Sequence, residues 1–133
     1  MEMNLKDKAL ALEVLRSLEV IHMATVDAKG HAAVRAMSIA HVDDDLTVWF
    51  GTFDDSAKIA DIRANGSVSL SAWEKGHSFR SWGDATVVTD QEMKTKLWQQ
   101  GWKRFFRKGD TDPNYVLARV TVKDFEVYKM PQG

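Results

Sequence analysis

The feature that most constrains this chain is the spacing of its turn chemistry. Val20–Val26 is a β-branched run that stops at Asp27-Ala28-Lys29-Gly30, four residues suited to a tight reversal with Gly30 free to take positive φ. Ala32–Val42 then reads as a second, longer strand, Asp43-Asp44-Asp45 as an exposed turn, and Leu46–Gly51 as a third strand. Two successive hairpins cannot make a parallel sheet, because parallel neighbours need a long crossover. Further on, Val68–Trp73 alternates Val68, Leu70 and Ala72 against Ser69 and Ser71. Ser78–Val88 is a strand with Gly83 as a bulge or point of close backbone approach. Tyr115–Val122 and Phe125–Lys129 read as two closing strands.

Helices fill the intervals. Asn4 is placed to cap a first helix, with Asp7 three residues on and Leu5, Ala9 and Leu12 on its apolar stripe. Asp54 or Asp55 is expected to cap Ser56–Ala64, which Asn65-Gly66 ends. Asp90 is expected to cap Gln91–Phe105. The expected fold is mainly β with some α, about seven antiparallel strands curled into a barrel to hide their edges, with three helices outside. At 133 residues, with only two prolines and no linker-like tract, residues 1–133 are read as one domain.

Composition excludes several chemistries. The absence of cysteine removes disulfides, thiolate catalysis and cysteine metal sites. A net charge of −1 gives no general attraction to nucleic acid or anionic lipid. No apolar run is long enough for a membrane span, and the mixed charges at the N-terminus do not suit a signal peptide, so a cytoplasmic protein is expected. None of His22, His31, His41 and His77 is spaced with another as a metal pair, so no metal is expected. Neither common glycine-rich nucleotide loop occurs. Gln91–Lys108 interleaves Lys94, Lys96, Lys103, Arg104, Arg107 and Lys108 with Trp98, Trp102, Phe105 and Phe106. That mixture can bind single strands. The neutral overall balance favours instead an amphipathic helix whose aromatics cover the barrel, so nucleic acid is not an expected partner.

One junction carries chemistry. In Trp49-Phe50-Gly51-Thr52-Phe53-Asp54-Asp55-Ser56-Ala57-Lys58 a strand ends, a glycine permits close approach, and a helix begins. The helix start offers free N–H groups, Thr52 and Ser56 offer hydroxyls, and Lys58 a full charge, which together suit an anion. Asp54 and Asp55 compete with one, so from physics alone simple capping with a solvated Lys58 ranks ahead. Arg35, a charge inside the apolar stretch Val34-Arg35-Ala36-Met37-Ser38, is either outward-facing or a second cation for the same anion.

The order Ala24-Thr25-Val26-Asp27…Gly30, Val34-Arg35-Ala36-Met37-Ser38, Trp49-Phe50-Gly51-Thr52…Ser56-Ala57-Lys58, Val68-Ser69-Leu70 and Gly83-Asp84-Ala85 resembles the pyridoxamine-phosphate-oxidase-like flavoproteins. Leu97-Trp98…Trp102…Phe105-Phe106…Asp112-Pro113-Asn114-Tyr115-Val116-Leu117 is similar to their general stress protein branch. The resemblance implies a split β-barrel that binds FMN at a homodimer seam. It implies that Arg35, Met37 and Ser38 lie along the flavin and reach its phosphate, that Phe50, Gly51 and Thr52 add contacts, and that Ser56 and Lys58 hold the phosphate. It leaves the substrate, the electron donor and any catalytic acid or base unassigned. Many relatives carry Arg where this chain has Ala57, and Asp54 and Asp55 add negative charge; both count against FMN affinity, not against FMN geometry. The Arg/His segment with which the vitamin oxidase binds pyridoxine phosphate is missing before Pro131-Gln132-Gly133, so that oxidation is not expected. The implied function is an FMN-binding oxidoreductase. The alternatives are a non-catalytic flavin-binding stress or sensor protein, or a barrel that has lost FMN for another phosphate-bearing ligand. A half-open barrel also leaves Trp49, Trp73 and Trp82 needing cover, which two-fold pairing would supply.

Overall fold

Two neighbouring amides determine how the sheet closes. The N–H of Ile39 donates to Glu19 O at 3.0 Å, while the N–H of Ala40 donates to Trp49 O at 2.8 Å. In the computed structural model, which describes residues 6–130, these acceptors lie toward opposite ends of one seven-stranded sheet. Its strands are β1 (Val20–Val26), β2 (Ala32–Ser38), β3 (His41–Val42), β4 (Val48–Phe53), β5 (Ser67–Glu74), β6 (His77–Val88) and β7 (Tyr115–Lys129). All pairings are antiparallel, in the order β2-β1-β5-β6-β7-β4-β3. The expected single strand Ala32–Val42 is therefore two strands, one on each edge of the sheet. The chain itself bridges the edges at Ile39–Ala40, and the sheet curls into a split barrel.

Turn chemistry forms as the sequence dictates. Asp27 Oδ1 accepts from the N–H groups of Lys29 and His31, and Gly30 takes φ +83°. The second turn runs further than expected. Leu46 is in it at φ 73°, buried, with its N–H on Asp43 O, so β4 starts at Val48. The expected closing strands Tyr115–Val122 and Phe125–Lys129 are one 15-residue strand, lying between β6 and β4. Lys123-Asp124 looks like a turn, but it is absorbed as a bulge. Trp82 pairs with Asp124 and Gly83 with Val122, so Lys123 is the extra residue on β7. Gly83 is a point of close approach, since a Cβ there would sit 2.0 Å from Thr121 O.

The first helix, α1 (Lys8–Ser17), is capped by Asp7, whose side chain accepts from Leu10 N; the expected cap Asn4 lies outside the described residues. Leu10, Ala11, Val14 and Leu15 on its inner face join Ile21, Met23, Val48, Phe50, Leu70 and Phe79 in the barrel core. The second, α2 (Ala57–Ala64), contributes Ile59 and Ile62. Burying such side chains contributes about 1.5–3 kcal/mol each. The third, α3 (Gln91–Leu97), is capped by Asp90 as expected but stops well short of Phe105. It ends at Trp98, and a 3-10 turn, Gln100–Arg104, follows. The break lets Trp98, Trp102 and Phe106 converge on the buried Tyr115 ring, at centroid distances of 5.2, 5.7 and 5.3 Å. A straight helix could not bring all three to one ring, and Tyr115 Oη ties the assembly by donating to Lys94 O at 2.8 Å. Burial pushes the Tyr115 phenol up to about 12. This second apolar cluster, with Trp49, Leu97 and Leu117, lies on the far face of β4 and β7, so these strands are buried on both sides. Trp49, expected to need a partner's cover, is covered by its own chain, with Nε1 donating to Asp43 Oδ2 at 2.8 Å.

Gly83 measures how tightly β6 and β7 meet, and Gly101, in the 3-10 turn, is the control. Gly83→Ala should lower unfolding stability by roughly 2–3 kcal/mol, because backbone must move to admit the methyl. Gly101→Ala, where nothing lies within 4 Å, should change it by less than about 0.5 kcal/mol. Urea denaturation of both variants checks this.

Candidate functional site

Because β2 and β4 are brought alongside by the Ile39–Ala40 bridge yet share no ladder, a cleft opens between them. It has a volume of about 200 Å³ and is lined by Ala36, Met37 and Ser38 of β2, Gly51, Thr52 and Phe53 of β4, Lys58 of α2, and Trp102, Phe105 and Phe106. Sequence reasoning placed Met37, Ser38, Gly51, Thr52 and Lys58 in one site, and the fold brings these five together. Phe50 belongs to the barrel core with no exposed surface, so its side chain does not reach the cleft. Ser56 is the N-cap residue of α2, but its hydroxyl donates to Phe53 O at 2.7 Å and caps no helix amide. Neither Asp54 nor Asp55 caps this helix either. The Asp54 carboxylate pairs with Arg63 at 2.7 Å, and Asp55 takes part through its backbone N–H, which donates to Asn114 Oδ1. The pairing with Arg63 draws the Asp54 charge away from any anion at Lys58.

Lys58 forms the polar end of the cleft, and Arg35, which does not line it, lies close enough to act on the Lys58 charge. Lys58 is half-buried and its ammonium donates to the Thr52 hydroxyl at 3.1 Å. Arg35 leaves β2 on the inner face and donates to the hydroxyl of Thr25, which is 1% exposed, at 2.9 Å. Burial, and secondly the positive charge of Arg35, hold the Lys58 ammonium below its usual pKa. These two charges are therefore near enough to oppose each other. In the unfolded chain Lys58 regains its ordinary value, 10.5. Between the depressed value and 10.5 the unfolded state binds more protons, so Lys58 makes stability rise with pH across that window. An anion between the cations would reverse both effects.

The opposite end is aromatic. Trp102 rests against the backbone of Gly51: a Cβ on Gly51 would meet two Trp102 ring carbons at 2.6 Å. Phe53 packs against Phe106 at 4.8 Å and Phe105 at 6.3 Å between centroids, and Phe105 is 52% exposed. Sequence reasoning read these aromatics as barrel cover. They are cover and cleft wall at once, and the glycine against which Trp102 rests is the signal that could have placed them. Lys58 is the one titratable side chain lining the cleft among the described residues. The lining therefore offers a cationic end, an aromatic end and no carboxylate or imidazole for proton transfer. No group of three or more metal-type ligands occurs among the described residues.

Comparison with known proteins agrees with this architecture. The family model described as pyridoxamine 5'-phosphate oxidase like matches residues 7–133. No curated protein sequence matches the chain. Among solved structures, the general stress protein 26 from Bacillus anthracis superposes with a TM-score of 0.79 at 23% identity, covering 92% of this chain and 98% of that one. A general stress FMN/FAD binding protein from Xanthomonas citri gives 0.77 at 25% identity, covering 96% and 93%. A pyridoxamine 5'-phosphate oxidase-related, FMN binding protein from Nostoc punctiforme gives 0.73 at 21% identity, covering 91% and 81%.

If Arg35 opposes Lys58, Arg35→Met should raise the Lys58 pKa part of the way to 10.5, leaving the effect of burial. Titration of the Lys58 side chain by heteronuclear NMR measures it, and an unchanged value would mean that the two charges do not interact.

Proposed function

The chain belongs to the pyridoxamine 5'-phosphate oxidase like family, and from that premise we propose that it is an FMN-dependent oxidoreductase whose phosphate site is the Arg35–Lys58 end of the cleft. The observation that carries this is a half-buried cation, Lys58, bonded to the Thr52 hydroxyl in a cleft whose other walls are aromatic, with Arg35 anchored near it on Thr25. The hydroxyls of Thr52 and Ser38 add neutral donors suited to phosphate oxygens. The Trp102 and Phe105 side chains in the wall suit a planar ring system. FMN, when bound, supplies hydride and single-electron chemistry. The chain's own part is then to bind, to orient and to exclude water, which agrees with a lining that holds no general acid or base except Lys58. Ser56 lies one residue before α2 and supports the site through its backbone more than through its hydroxyl, which is already committed to Phe53 O.

A homodimer belongs to the same proposal. A cleft of about 200 Å³ is smaller than the roughly 300–1,000 Å³ that enclose a drug-sized ligand, so a flavin there needs a further wall. The exposed sheet face beside it can supply one. Val34, Ala24, Ser69 and Trp82 form a row across β2, β1, β5 and β6, with Trp73 nearby. Val34 and Trp73 are more than 60% exposed on this face. Isologous pairing of two such faces would place two equivalent clefts at one seam. Among the described residues no helix is long and apolar enough to cross a membrane, in keeping with a cytoplasmic role.

Calorimetric titration with FMN and with riboflavin tests the phosphate site. FMN should bind more tightly, and Lys58→Ala should reduce FMN affinity about ten- to a hundredfold, the worth of one charge-assisted hydrogen bond, with riboflavin little changed. Equal affinity for the two flavins in the wild-type protein would reject the site.

Sedimentation tests the seam. The wild-type mass should be near twice 15.0 kDa, and Val34→Glu should bring it to the monomer while weakening both flavins alike. A monomer that still binds FMN tightly would reject the seam.

A further inference from the structure

Thr25 is a polar residue on the core-facing side of β1, in phase with the buried Ile21 and Met23. Such a hydroxyl needs both its donor and its acceptor roles satisfied. The structure satisfies both in one direction. The Arg35 guanidinium donates to Thr25 Oγ1 at 2.9 Å, and Thr25 Oγ1 lies 3.1 Å from Asp61 Oδ2. A guanidinium can only donate and an ionised carboxylate can only accept, so the hydroxyl proton must point to Asp61. The result is a directed chain from Asp61 on α2, through β1, to Arg35 on β2.

Arg35 and Lys58 are consequently held in different ways. Arg35 is anchored by a buried hydroxyl that is itself oriented by a carboxylate. Lys58 makes one hydrogen bond, to the neutral Thr52 hydroxyl, at the end of a flexible four-carbon arm. Asp61 stands one helical turn after Lys58 on α2, so a single helix carries both the mobile cation and the anchor of the fixed one. We propose that Thr25 and Asp61 are positioning residues that preset the Arg35 guanidinium for an anion, making Arg35 the fixed half of the site and Lys58 the half that closes. This rests on reading the cleft as a phosphate site. Asp61 acts through Thr25 and not by direct contact, which keeps its carboxylate one hydroxyl removed from Arg35 and leaves the remaining guanidinium N–H groups free to donate.

Two measurements test the proposal. In the ligand-free protein, the Arg35 guanidinium protons should be resolved by NMR as a rotationally restricted set in wild type and in Thr25→Ser, and averaged in Thr25→Val and Asp61→Ala. With flavins, Thr25→Val should lower FMN affinity about three- to tenfold, the equivalent of ordering one long side chain on binding, with riboflavin unchanged. Thr25→Ser, which keeps the hydroxyl, should hold FMN affinity within about twofold. Equal loss of both flavins in Thr25→Val would make Thr25 merely structural and overturn the proposal, as would identical Arg35 spectra in wild type and Thr25→Val. Should the wild-type protein bind FMN and riboflavin equally, the phosphate reading fails separately, and the ligand-free spectra still decide whether Thr25 and Asp61 hold Arg35.

Discussion

Everything about the cleft depends on the donation of two consecutive amides, those of Ile39 and Ala40, to opposite parts of one sheet. An open seven-stranded sheet would leave its edge strands β2 and β3 unpaired and its inner face half uncovered. Joining those edges by a bridge too short to span any distance forces the sheet to curl until they meet. The bridge fixes the strands at one point only. Beyond it β2 and β4 run on without a ladder, and the gap between them is the cleft. The site is thus a by-product of closing a barrel with covalent chain in place of hydrogen bonds, and Met37 and Ser38 share one space with Thr52 and Lys58 for that reason.

The cleft has two ends because two different packing problems meet in it. On the barrel side, the inner face must accommodate Thr25 and Arg35, and it does so with a directed chain of hydrogen bonds ending on Asp61. On the other side, β4 and β7 need a second cover, and the broken segment after α3 supplies it by gathering Trp98, Trp102 and Phe106 around Tyr115. Gly51 is where these solutions touch. Its lack of a side chain lets Trp102 rest on the β4 backbone, so the aromatic wall begins where the polar floor of Thr52 and Lys58 ends. Membership of the family accounts for the barrel; this particular contact accounts for the shape of the wall.

Much of this was legible in the sequence wherever a local cause was sufficient. The Asp27–Gly30 turn, the Asp90 cap and the close approach at Gly83 each follow from a residue's own conformational or hydrogen-bonding character. So does the gathering of Thr52 and Lys58, since a strand end and a helix start fix their separation. What escaped has non-local causes. Ile39-Ala40 is as strand-like as its neighbours, and the break there is set by the carbonyl of Trp49. Lys123-Asp124 resembles a turn, but the partner strand absorbs the extra residue. The helix after Asp90 keeps its apolar period past Leu97, yet its aromatics are better buried around a ring that lies far along the chain. The resemblance set Ser56 among the phosphate ligands, whereas its hydroxyl is spent on Phe53 O. Thr25 left a readable sign, a hydroxyl in phase with core residues, but nothing local identifies Asp61 as its partner.

The long strand β7 has a consequence for how the chain must come into being. It lies between β6 and β4 and is hydrogen-bonded to both, yet it is the last strand made. During synthesis the hairpins of β1 with β2 and of β5 with β6 are available early, because their contacts are local. Strand β4 has at that stage only its short hairpin with β3, where Val42 pairs with Val48 and His41 with Trp49. Its long ladder, from Val48 to Phe53, waits until residues 115–120 arrive, and its other face waits for the aromatics at 98–106. The nascent protein therefore carries an apolar strand with one edge unpaired until residues 115–120 emerge, a species with the exposed edge that invites association between chains. Any chaperone that serves this fold has most to do in that interval, and a chain truncated before Tyr115 would remain in it permanently.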